Sequence, residues 1–137
     1  MAIKTRRGVE RQGKDGLEIS LGSGPEAAAS ARQAISRLQA HLDPPLIETL
    51  RLLVTELVTN SVRHTAADSL TLSVAIGKSA VLTEVADTGP GFDPQCVKQA
   101  GEGDTGWGLF LVQRLADKWG VTHDGASKRV WFELRRA

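Results

Sequence analysis

The run Glu56-Leu57-Val58-Thr59-Asn60-Ser61-Val62-Arg63-His64 decides how the rest of the chain is read. Glu56, Asn60 and His64 recur at every fourth position, which on an α-helix sets them along one side. Leu46, Leu50, Leu53, Val54, Leu57 and Ser61 fall at helical spacing as well and predict a buried stripe on a helix over 45–65. The polar triplet borders that stripe instead of lying opposite it. A carboxylate, a carboxamide and an imidazole at the edge of a core suit a cleft, although the same spacing also reads as a solvated helix flank.

Upstream of this helix, Asp43-Pro44-Pro45 ends one helix and starts the next. The earlier helix opens at Gly22-Ser23-Gly24-Pro25, with Pro25 suited to a first helical position, and is expected to run to about Leu42. Ala31, Ile35, Leu38 and Leu42 would share its inner face. Leu17, Ile19 and Leu21 alternate with polar residues, the period of a half-buried strand. Residues 1–16, rich in Lys, Arg and Gly, read as a flexible basic tail, leaving 17–137 as one ordered domain.

Downstream, Leu70–Ile76 and Val81–Ala86 are expected strands joined by a hairpin turn around Lys78. From Asp87 to Gly106 periodicity vanishes, and a loop of that length in a compact domain is usually functional. A third helix is expected to carry Leu111, Val112, Leu115, Ala116 and Trp119 inward, with Trp119 and Trp131 both at core positions. Val121–His123 and Val130–Leu134 close the chain around a turn near Asp124-Gly125. The order β-α-α-β-β-loop-α-β-β predicts an α/β (α+β) fold: a two-layer sandwich of a mixed, mainly antiparallel sheet with helices on one face. The other face must be covered or left polar.

The chain has 137 residues, 41% apolar and 24% charged, with a formal net charge of +1. Those proportions are ordinary for a globular domain and give no reason to expect nucleic-acid binding. Cys96 is the sole cysteine, which excludes an internal disulfide and a cysteine-rich zinc site. No apolar run reaches the length of a membrane helix and none follows the basic N-terminal residues as a signal peptide would, so a soluble, cytoplasmic protein is expected. His41 and His123 stand alone and read as solvated or turn residues.

Two glycine clusters follow the Glu56 helix. Asp87-Thr88-Gly89-Pro90-Gly91 comes directly after a strand, where paired glycines permit a sharp turn and close approach to a ligand. An aspartate at a strand end can accept a hydrogen bond from an exocyclic amine such as the 6-amino group of adenine; the stretch also reads as a plain turn. Gly103-Asp104-Thr105-Gly106-Trp107-Gly108-Leu109 opens the third helix, where free backbone N–H groups and the helix dipole favour phosphate. Thr105 alternatively serves there as an N-cap. Neither GxxxxGK[ST] nor a GxGxxG after the first strand is present.

Taken together, ExxxNxxxH, then DxGxG, then GxG at a helix start resembles the GHKL ATPases, the superfamily of gyrase, the heat-shock chaperone, histidine kinases and mismatch-repair proteins. The resemblance runs from about Leu17 to Leu134. Within it, ELVTNSVRH and DTGPGFDP look most like the bacterial anti-sigma factor serine/threonine kinases. The resemblance implies ATP and Mg²⁺ as cofactors, with Asn60 ligating the metal and Glu56 as the catalytic residue that orients or deprotonates the attacking hydroxyl. It implies that Asp87 reads adenine in a pocket shaped by Gly89 and Gly91, and that Thr105, Gly106, Gly108 and Leu109 hold the phosphates. His64 matches the family's position, for a nucleotide contact or for packing beneath the ligand. A sigma factor and an anti-anti-sigma (STAS-type) protein would be the partners, and a homodimer the assembly.

The chain departs from that family in two places. Asp104 or Glu102 stands where some of these kinases carry an arginine before the second glycine box. Lys128-Arg129 occupies the region where many place a threonine beside the adenine-binding aspartate. A non-catalytic ATP-binding module and a detached histidine-kinase catalytic domain are the rival readings.

Overall fold

The structure, a computed structural model, describes residues 16–64, 69–87, 107–124 and 127–136. Along the chain these form β1 (Gly16–Gly22), α1 (Ala27–Ser36), α2 (Pro44–His64), β2 (Ser69–Ile76), β3 (Ala80–Asp87), α3 (Trp107–Leu115), β4 (Lys118–Asp124) and β5 (Ser127–Arg135). The strands make one five-stranded sheet in the order β1-β2-β3-β5-β4, and all four pairings are antiparallel. The predicted element order and two-layer α+β class hold, and among the described residues the sheet contains no parallel pair.

Strand alternation sorts the sheet into two faces. Leu17, Leu21, Leu70, Leu72, Val74, Val81, Val85, Val130, Phe132 and Leu134 are buried on the inner one. Against them lies α2, whose Leu50, Leu53, Val54, Leu57, Val58 and Ser61 are all buried. Each large apolar side chain removed from water there contributes roughly 1.5–3 kcal/mol. α2 packs between α1 and α3 and also touches β3 and β5, so its polar flank is fixed relative to both central strands.

The outer face is left largely polar: Glu18, Ser73, Glu84, Trp131 and Gly120 stand in one register row across it. Trp131 therefore does not enter the core as expected. It is half-buried on the outer face, and a Cβ added at Gly120 would come within 2.8 Å of its Nε1. Trp119 is half-buried against the core, but from β4 and not from a helix.

Two helix ends differ from the sequence reading. α1 stops at Ser36, and Arg37, Leu38 and Gln39 donate instead to the carbonyls three residues back. This tighter turn still delivers Leu38 and Leu42 to the core. α3 stops at Leu115 because Asp117 joins the sheet: its N–H donates to Glu133 O, and its Oδ2 accepts from Arg135 N at 2.6 Å. The hairpin turn lies at Lys78 as predicted, with Gly77 N donating to Ala80 O.

Candidate functional site

α2 presents Glu56 and Asn60 one turn apart, both half-buried, beside the fully buried Leu57 and Ser61. Both are partly shielded from solvent, which is the flank position that the four-residue spacing predicts. Asn60 Oδ1 is buried and accepts no hydrogen bond. An unsatisfied carboxamide oxygen costs about 1–3 kcal/mol when removed from water, so such groups call for an explanation. A hard cation with oxygen ligands is one that suits this atom. Among the described residues no group of three or more His, Cys, Asp and Glu side chains comes together to hold a metal. A cation at Asn60 would therefore complete its shell with water and a ligand's own oxygens, as Mg²⁺ characteristically does.

The second component is Asp87, the last residue of β3 and only 1% exposed. It stands in register between Leu70 of β2 and Lys128 of β5. Lys128 is also buried, at 4% exposure. The register row Leu21, Leu70, Asp87, Lys128 and His123 thus crosses all five strands, with Leu21, Leu70, Asp87 and Lys128 buried at one end of the inner face. Asp87 Oδ2 is buried and accepts no hydrogen bond, although the residue does take part in other polar interactions within the chain.

His64 is the last residue of α2, and Gly108 and Leu109 belong to the first turn of α3, so these three are placed by their backbone alone. Gly89, Gly91, Glu102, Asp104, Thr105 and Gly106 lie outside the described residues. The structure thus brings Glu56 and Asn60 together on one helix flank, and sets Asp87 at the end of a central strand in the sheet this helix covers. The sequence reading noted Lys128 as a departure; its placement directly opposite Asp87 required the β3–β5 register.

An open cleft of about 630 Å³ lies at the other end of the sheet, lined by Asp43, Pro45, Thr49, Lys78 and Arg136 among others. It is formed around the β2–β3 turn, whereas Asp87 ends β3 at the opposite extremity. Arg136 closes part of this region by donating to Gly77 O at 2.6 Å and His41 O at 3.2 Å. Among the described residues, none of those predicted to bind nucleotide lines it.

A five-stranded antiparallel sheet covered by helices on one face is the architecture of a GHKL-type ATPase fold. The histidine kinase-like ATPase domain model matches residues 21–134, and the chain belongs to that family. Among solved structures, the RsbU and RsbW domains of a Mycobacterium tuberculosis protein are similar, at a TM-score of 0.68 and 20% identity. The match covers 88% of this chain and 32% of that one, so the chain spans about a third of the length of that structure. No curated protein sequence matches significantly.

Proposed function

We propose that this domain binds Mg·ATP between α2 and the Asp87 end of the sheet and transfers the γ-phosphoryl group to a serine or threonine of a protein partner. The observation that carries the reading is the buried, unsatisfied Asn60 Oδ1 one helical turn from Glu56. Bound there by Asn60, Mg²⁺ would neutralise phosphate charge. Asp87 accepts a hydrogen bond from the 6-amino group of adenine. Glu56 accepts the proton of the incoming hydroxyl and orients it for attack; because it is half-buried, it can both meet a substrate and be held by its neighbours. The backbone N–H groups of Thr105, Gly106, Gly108 and Leu109 hold the phosphates, with Gly89 and Gly91 admitting the base and His64 supporting the ligand from the end of α2.

The resemblance of ELVTNSVRH and DTGPGFDP to anti-sigma factor kinases extends the proposal to the partners. The domain holds a sigma factor as a homodimer in the cytoplasm, releases it when a STAS-type anti-anti-sigma protein competes, and phosphorylates that competitor. No helix among the described residues is long and apolar enough to cross a membrane.

The test is γ-labelled ATP with the wild type, Glu56→Ala and a STAS-type partner encoded nearby. Wild type should label the partner, and Glu56→Ala should bind ATP with little change while losing transfer by about 100-fold or more. ATP binding without any transfer by the wild type would overturn the kinase reading and leave a nucleotide-controlled binding module.

A further inference from the structure

Asp87 and Lys128 are the only buried ionisable side chains among the described residues. They are register partners on adjacent strands and alternate onto the same inner face. Directly opposed residues of an antiparallel pair hold their Cβ atoms about 4.5–5.5 Å apart. Their chemistries are complementary, since a carboxylate only accepts hydrogen bonds and an ammonium only donates them. On the other side of Asp87 the row continues with the apolar Leu70 and Leu21, so across β1, β2, β3 and β5 its side-chain hydrogen-bonding groups are this pair, with His123 following on β4.

A lysine is rarely this buried, because removing its charge from water is costly unless it is well compensated. Neither residue is electrostatically isolated within the chain, and packing alone would be served by an apolar side chain at 128. The edge of a 6-aminopurine presents an N–H donor, the exocyclic amine, immediately beside an acceptor, ring nitrogen N1. That sequence of groups is the complement of a carboxylate beside an ammonium.

We propose that Lys128 is a specificity-determining residue of the nucleotide pocket, donating from Nζ to purine N1 while Asp87 accepts from the adjacent 6-amino group. The proposal rests on the ATP reading above and deepens it. Lys128 reads the base through a direct, charge-assisted hydrogen bond from the end of its flexible four-carbon stem. A pocket of this kind requires both the amine and N1. Asp87 alone would require only the amine.

The test compares ATP with 1-deaza-ATP, in which a C–H replaces N1, by titration calorimetry on the full chain. Wild type should bind 1-deaza-ATP roughly 10- to 100-fold more weakly than ATP, the range for losing one hydrogen bond to a charged donor. Lys128→Met should bind ATP more weakly by a similar factor and no longer distinguish the two nucleotides. Lys128→Arg, which keeps a donor, should retain part of the discrimination. Equal affinity of the wild type for both nucleotides would overturn the assignment of Lys128 while leaving the ATP reading intact. Discrimination that persists in Lys128→Met would do the same. Absence of any ATP binding by the wild type would overturn both. Should Lys128→Met not fold by circular dichroism, Lys128→Leu is measured in its place, with the same loss of discrimination expected and persistence of discrimination overturning the assignment.

Discussion

Replacing Asn60 with alanine should stabilise the ligand-free protein and abolish its response to nucleotide. In the free state Asn60 Oδ1 is buried without a hydrogen bond, which costs about 1–3 kcal/mol. Alanine removes that group and is also the better helix former, by about 0.5 kcal/mol. Against these stands the packing lost from a half-buried side chain, so the net gain should be about 1 kcal/mol. In the wild type, Mg·ATP at 100 times its Kd should add about 2.7 kcal/mol. For a domain of this size that corresponds to a rise in Tm of about 10 °C. Thermal unfolding of both proteins, with and without 5 mM MgCl₂ and saturating ATP (about 100 Kd), reads both effects. An alanine variant less stable than wild type by about 1 kcal/mol or more would mean that Asn60 is satisfied internally. A variant that keeps the nucleotide-induced shift would mean that α2 does not carry the site. Either result refutes the reasoning.

Thr83 lies on the inner face of β3, fully buried between Val74 and Phe132 in register, and its Oγ1 has no hydrogen-bond partner. Thr83→Val, nearly isosteric, should raise the urea midpoint by the equivalent of about 1 kcal/mol with an unchanged m-value. A drop would show the hydroxyl to be bonded. Gly16 adopts φ +145°, and a Cβ there would collide with Val74 O. Gly16→Ala should therefore destabilise the β1–β2 pairing by more than 1 kcal/mol, measurable by denaturant unfolding; a neutral result would show that β1 relaxes away from β2.

The parts of the fold that were legible were those whose burial follows a single period over many residues. α2 is one, since twenty-one residues of continuous helix leave no competing reading of Leu50, Leu53, Val54 and Leu57. The inner face of β2 and β3 is another. The ends of α1 and α3 were misread for a shared reason: spacings of three and four occur in turns as well as in helices. Leu38 and Leu42 are buried from a tighter turn. Trp119 continues the helical spacing of Leu111 and Leu115 but belongs to a strand, because Asp117 has already entered the sheet by bonding to β5. The side of the sheet on which Trp131 lies depends on the parity of β5, and hydrophobicity alone placed it wrongly. For the site, the spacing of Glu56 and Asn60 carried over to the structure directly. The meeting of Asp87 with Lys128 did not, because it depends on pairing between strands forty residues apart in sequence.

The sheet's topology sets the direction in which chain enters and leaves. Gly16 pairs with Ala75 and Arg135 pairs with Ala80, both beside the β2–β3 turn, while Asp87 and Lys128 occupy the opposite end of the same strands. Polypeptide added before β1 or after β5 would therefore emerge away from the Asp87 end. A domain wired in this way can be fused at either terminus, by a purification tag or by another domain, without threading the extra chain across the nucleotide site proposed at the Asp87 end. Such an element is readily inserted into longer proteins, and as one part of a multi-domain chain it keeps its Asp87 end free.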